Sequence, residues 1–381
     1  APKDAIPMLQ EAANRNPENT QVLDLLATAF VRSDQRAQAI STWEKLLRIN
    51  PKAGVAQFRI GETQLAGGDR DAALASFRKA AQISPDAAEP QIGIAMVLYQ
   101  QGKKDEAMRI ATRMKAGDRL KVPGTILEGD LLAADGKWAD ASERYRAAFT
   151  QQRALPTGFK LHRALRAAKR DDDADRFLRD WIRSEPANLG LRLYAGESET
   201  LRQHWKQAFE QYAVVLEKDP KNALALNNAA WALHELKDPR ALDHARRAYE
   251  SSPKSPAVLD TYGVILNASG DRKGIDLLRQ AVELAPKDPQ MRLHLAEALA
   301  GAGDKAGAKA QIDTPNLLRH AAEILPTPTK RDSRMDGWSP AYDRRKSPTM
   351  DAVMDGAMTD RAPDKWAGAR ALAAMLRSHG L

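Results

Sequence analysis

The sequence predicts an all-α protein, a solenoid of helix–turn–helix repeats followed by a largely irregular C-terminal tail. Three observations carry that reading. Prolines recur at Pro17, Pro51 and Pro85 and again at Pro186, Pro220, Pro253 and Pro286, in steps of 33 or 34 residues with about three periods between the two runs. Small residues keep fixed offsets within each period. Alanine and leucine are abundant while aromatic residues supply only 6% of the 381 positions, a balance that favours helix over sheet.

Each period reads as one helical hairpin. A small residue falls mid-way along the first helix, at Ala27, Gly61, Ala95, Gly129, Gly196, Ala230, Gly263 and Ala296. About twelve residues later comes a second, at Ala39, Ala73, Ala107, Ala141, Ala208, Ala241, Gly274 and Ala308. Two helices can approach closely there because no larger side chain holds the backbones apart. Trp43, Phe77, Tyr145, Tyr212 and Leu278 follow and fill the rest of the interface. Between the helices sit Gly68-Asp69, Gly102-Lys103, Gly136-Lys137, Gly270-Asp271 and Gly303-Asp304, where glycine supplies a left-handed C-cap. The proline closes the unit, since a helix does not readily continue through the residue before one.

Counting gives the second helix of a cut repeat at 3–17, eight full repeats over about 20–288, and a partial ninth at 289–312. The full repeats fall at about 20–53, 54–87, 88–121, 122–154, 155–188, 189–222, 223–255 and 256–288, so the array occupies residues 1–313. An array that opens on a second helix, in a chain starting at Ala1, is expected to come from something longer. The fifth repeat, "PTGFKLHRALRAAKRDDDADRFLRDWI", is the least regular, with His162 where the small residue belongs. Residues 314–381 are rich in Pro, Asp, Arg and Met without helical period, and are expected to be mostly irregular, with a short helix at about 366–378.

Small residues at the eighth and twentieth positions, an aromatic near the twenty-fourth and proline at the thirty-second resemble the tetratricopeptide repeat (TPR), over roughly residues 3–312. That resemblance implies a right-handed superhelical solenoid whose first helices line a concave groove. It also implies a non-catalytic scaffold for protein partners, taken up as a peptide segment or helix. The later repeats, "NALALNNAAWALHELKDPRALDHARRAYESSP" and "DTYGVILNASGDRKGIDLLRQAVELAPKDP", look most like the TPR lipoproteins of bacterial exosortase/PEP-CTERM exopolysaccharide systems. This second resemblance implies a place in the periplasm or cell envelope and a role in polysaccharide assembly or export. A chain without cysteine fits the cytoplasm equally. In the tail, "LPTPTKRDSRMDGWSP" resembles a segment of phage-type DNA methyltransferases, whose catalytic motifs are absent here. It implies at most a DNA-associated tail, or a tail foreign to the array.

Chemistry is hard to find. The absence of cysteine excludes thiolate catalysis, disulfides and Cys-based zinc sites. The seven histidines show no metal-ligand spacing, and no G-x-S-x-G, P-loop or GxGxxG occurs. "KRDDDADR" lacks the glycine and closing glutamate of a calcium loop and reads as aspartates opening a helix. No enzyme, cofactor or metal is expected. A net charge of +8 suits an anionic partner, but no basic run with interleaved aromatics supports specific nucleic-acid binding. No stretch is long and apolar enough to span a membrane.

One stretch stands out as a candidate binding surface. In "NALALNNAAWALHELKDP", Leu226, Ala229, Ala230 and Leu233 take the packing positions of a first helix, so Asn227, Asn228, Trp231 and His234 fall on its other face. Neighbouring first helices add Asp260, Thr261 and Asn267, then His294 and Glu297. An amide offers donor and acceptor together and an indole a flat apolar face, a pairing that can grip a peptide backbone or a sugar. Direct binding of an acidic polysaccharide is therefore the alternative function. The carboxylate clamp of some TPR domains is incomplete, because Ala257 and Thr261 stand where its basic residues belong. Amides satisfied within the solenoid are the plain structural account of the same residues.

Overall fold

The computed structural model describes residues 2–312, and every element among them is helical. The tail at 314–381, its expected short helix and its methyltransferase-like segment lie outside the described residues. Contacts divide the chain into two compact units, Ala1–Pro186 and Ala187–Leu381.

The first unit holds α1 (Pro2–Arg15), α2 (Thr20–Arg32), α3 (Arg36–Ile49), α4 (Gly54–Ala66), α5 (Arg70–Ile83), α6 (Ala88–Gln100) and α7 (Lys104–Ala116). After a single 3₁₀ turn at Asp118–Leu120 come α8 (Lys121–Ala134), α9 (Trp138–Gln151), α10 (Leu155–Ala167) and α11 (Asp171–Ser184). The second holds α12 (Leu189–Leu201), α13 (Trp205–Lys218), α14 (Ala223–Glu235), α15 (Arg240–Ser251), α16 (Pro256–Ala268), α17 (Lys273–Leu284), α18 (Pro289–Gly301) and α19 (Lys305–Ile312). From α2 onward even-numbered helices are the first of a hairpin and odd-numbered ones the second. Within each unit, hairpin packs on hairpin in chain order, as a helical solenoid of repeated pairs.

Local chemistry starts and stops these helices. Asn19, Asp69, Asn188, Asn222 and Asp288 accept backbone N–H bonds from the first turns of α2, α5, α12, α14 and α18. At the hairpin turns Gly68, Gly102, Gly136, Gly270 and Gly303 adopt φ of 73° to 90°, the left-handed cap expected of them. Four turns reach the same region without glycine: Asp34, Lys169, Gln203 and Lys237 have φ of 57° to 59°. What unites glycine and non-glycine turns is a bond from the next residue back across the cap, as in Asp69 N–H to Gln64 O at 3.0 Å and Asp238 N–H to Leu233 O at 2.9 Å.

The small residues lie where helices touch. Ala27, Ala95, Ala230, Ala296, Ala39, Ala73, Ala107, Ala141 and Ala208 are all fully buried. A Cβ added to Gly61 would fall 2.6 Å from the Phe77 ring, and one on Gly129 2.6 Å from that of Tyr145. The irregular fifth hairpin solves the same problem one turn earlier. His162 is buried, and it is Gly158 that makes room for Trp181, whose ring would lie 2.1 Å from an added Cβ. No helix among the described residues is long and apolar enough to cross a membrane.

Candidate functional site

The candidate residues all lie in the second unit, on α14, α16 and α18. Asn222 caps α14 by accepting from Ala225 N–H at 3.0 Å. Helical spacing then sends Leu226, Ala229, Ala230 and Leu233 into full burial, leaving Asn227, Asn228, Trp231 and His234 half-buried on the remaining face.

The two amides point into different surroundings. Asn228 Nδ2 donates to the hydroxyl of Tyr212, at 3.5 Å, and that hydroxyl also meets Thr200 Oγ1 at 3.1 Å. Tyr212 is fully buried on α13, and burial pushes its hydroxyl above the ordinary value, against the two hydrogen bonds from Thr200 and Asn228. Asn228 is thus tied into the solenoid. Asn227 Nδ2 donates to Asn228 Oδ1 at 3.3 Å, while Asn227 Oδ1 is buried with no partner among the described residues.

Trp231 belongs to a second cluster, which three successive first helices build. Its ring stacks on that of His294, with centroids 5.6 Å apart and planes 28° from parallel. His294 Nδ1 donates to Asp260 Oδ2 at 2.8 Å, and each of these two side chains is only 10% exposed. Gln290 reaches His294 Nε2 at 3.3 Å from one turn back on α18. Burial would lower the His294 pKa, but the hydrogen bond and charge of Asp260, with the charges of Glu297 and Asp288, raise it above 6.5. The His234 ring also lies near the indole, with centroids 5.7 Å apart and planes inclined by 51°. Asp260 Oδ1 is buried without a partner among the described residues.

The remaining candidates are spread differently. Thr261 is buried at 6% exposure. Asn267 sits at the crossing of α16 and α17, where a Cβ on Gly274 would fall 2.6 Å from its backbone nitrogen. Glu297 is exposed on α18, and its charge reaches His294. The structure therefore gathers Trp231, His234, Asp260 and His294, pairs Asn227 with Asn228, and sets Thr261 and Asn267 apart. Sequence reasoning missed Tyr212, Thr200 and Gln290 as supports. Tyr212 was visible only as an interface aromatic, and nothing in the sequence marked its hydroxyl as the anchor for Asn228.

The assembly offers an indole stacked on an imidazole, while the unpartnered oxygens of Asn227 and Asp260 are buried. Among the described residues no three His, Asp or Glu side chains converge to hold a metal ion.

Hairpins of this geometry, repeated in register around small-residue contacts, define an α-helical repeat protein. Two family models, both described as tetratricopeptide repeat, match residues 25–88 and 64–119. Proteins of this family generally mediate protein–protein interaction and are typically non-catalytic. Among solved structures the chain is similar to MamA, at TM-score 0.33 and 16% identity, covering 39% of this chain and 86% of that one. It is also similar to YrrB, described as a TPR protein with an unusual peptide-binding site, at TM-score 0.29 and 15% identity, covering 66% of this chain and 95% of that one. No curated protein matches it.

Proposed function

We propose that this protein is a non-catalytic scaffold that holds partner protein segments along the first-helix face of its hairpins, with α14, α16 and α18 forming one such surface. The observation that carries the reading is the ordered Trp231 ring. It contacts the rings of both His294 and His234, and His294 is itself fixed by Asp260. An aromatic anchor already held in place loses little further freedom when a partner arrives.

The setting we propose is the bacterial periplasm or cell envelope, in exopolysaccharide assembly or export. The support for that setting is the resemblance of the later repeats to the exosortase-associated lipoproteins. Direct binding of an acidic polysaccharide at this face finds less support, because the charges of Asp260 and Glu297 act on His294, the ring stacked on Trp231, and oppose an anionic polymer. The test is affinity capture from envelope extracts with the wild-type chain and with Asn228→Ala/Trp231→Ala. A partner retained equally by a variant of unchanged helicity would place the binding surface elsewhere.

A further inference from the structure

In the first unit, α5 and α7 flank a groove of about 400 Å³ floored by the buried residues Ile94 and Leu98 of α6 and Ile110 of α7. Its rim carries three exposed arginines, Arg78 from α5 and Arg109 and Arg113 from α7. None of the three has an ion-pair partner among the described residues. Several arginines elsewhere on the second helices and their caps find carboxylates: Arg144 reaches Glu128 at 3.1 Å, Arg170 reaches Glu143 at 2.8 Å, Arg246 reaches Asp243 at 2.6 Å and Arg279 reaches Asp276 at 3.3 Å. The single carboxylate lining the groove, Glu106, leaves it with a positive excess.

A polar groove with an aliphatic floor and a rim of unmatched guanidinium groups has a definite complement. We propose that this groove binds an acidic amphipathic segment of a partner protein, whose aliphatic side chains rest on Ile94, Leu98 and Ile110 while its carboxylates meet the arginines. Guanidinium suits this task because its planar fork presents paired donors to a carboxylate and its modest hydration eases partial burial. The floor separates this ligand from a free anion, which would gain nothing from three aliphatic side chains. A segment that brings both groups uses the whole groove. This site lies on other helices than the Trp231 cluster, so either assignment can fail without the other.

The test is fluorescence anisotropy of the full chain with a labelled helical peptide carrying Glu and Leu at i, i+4 spacing. Companion probes are the same peptide with Lys for Glu, anionic phosphatidylserine vesicles and a short DNA duplex. The acidic peptide should bind, its affinity should fall with added salt, and Arg109→Glu/Arg113→Glu should weaken it at least about tenfold. Arg78→Glu should add to the loss, and Arg246→Glu, whose arginine is already matched, should leave it intact. The substituted positions are exposed, so unchanged far-ultraviolet dichroism is expected. The proposal is overturned if the acidic peptide does not bind, if the double variant binds it unchanged, if the Lys peptide binds as well, or if the arginine variants impair vesicle or DNA binding instead.

Discussion

The ring of Tyr212 lies so close to Gly196 that a Cβ there would stand 2.4 Å from its Cε1 atom. The two belong to the two arms of one hairpin, α12 and α13, and each is fully or nearly fully buried. A larger side chain at position 196 forces the Tyr212 ring or a backbone to shift.

Gly196→Leu should therefore lower the melting temperature of the protein by several degrees, in keeping with about 1–3 kcal/mol for overpacking. Gly129→Leu, which meets Tyr145 in the first unit, should act alike. Circular dichroism melts of both variants check this. An unchanged transition would remove the packing role assigned to the small residues.

The hairpin turns offer a gain as well as a loss. Lys237 occupies the left-handed region at φ 57°, where a Cβ is strained. Lys237→Gly should stabilise by about 0.5–1 kcal/mol, whereas Gly270→Ala should destabilise by about 1 kcal/mol. Denaturant titration reads both signs, and two shifts in the same direction would contradict the account of the turn.

Protonation of His294 is coupled to the fold. Its pKa in the folded chain lies above 6.5, the usual value, because Asp260, Glu297 and Asp288 outweigh its burial. The pair with Asp260 thus contributes its full stabilisation below pH 6.5 and loses it as the pH rises through the elevated folded value. Proton NMR titration should find His294 above the ordinary histidine range, and Asp260→Asn should bring it down. A midpoint at or below the ordinary value would dissolve the pairing.

Trp231→Ala should weaken capture of a first-helix-face partner by about 2 kcal/mol, roughly thirtyfold, as for a central aromatic anchor. Asn228→Ala alone should act chiefly on stability, since that amide is bound to Tyr212. Titration calorimetry against the captured segment, beside a melting curve, tells the two effects apart.

Much of this fold was legible in the chain because its determinants are local and repeated. Proline, small residue and glycine each mark a backbone requirement that one residue type meets, and the five turn glycines do take the left-handed region. Legibility failed where a different residue met the same requirement. Gln203 and Lys237 adopt the turn with no glycine to announce it, and Gly158 rather than position 162 gives Trp181 its space. The candidate site was harder for a related reason. Helical periodicity says which face a side chain occupies but not what reaches over from another repeat. That Trp231 would be covered by His294, and His294 held by Asp260 across 34 residues, depends on how α14, α16 and α18 pack together.

That indole–imidazole stack bears on how the second unit comes apart. A stacked array is ordinarily a row of dominoes, each element answering only to those beside it. Here a ring on α14 touches one on α18, skipping the hairpin between. Fraying of the α18–α19 pair then also disturbs α14. Amide exchange in these three first helices should accordingly share one opening energy instead of falling off towards the chain end.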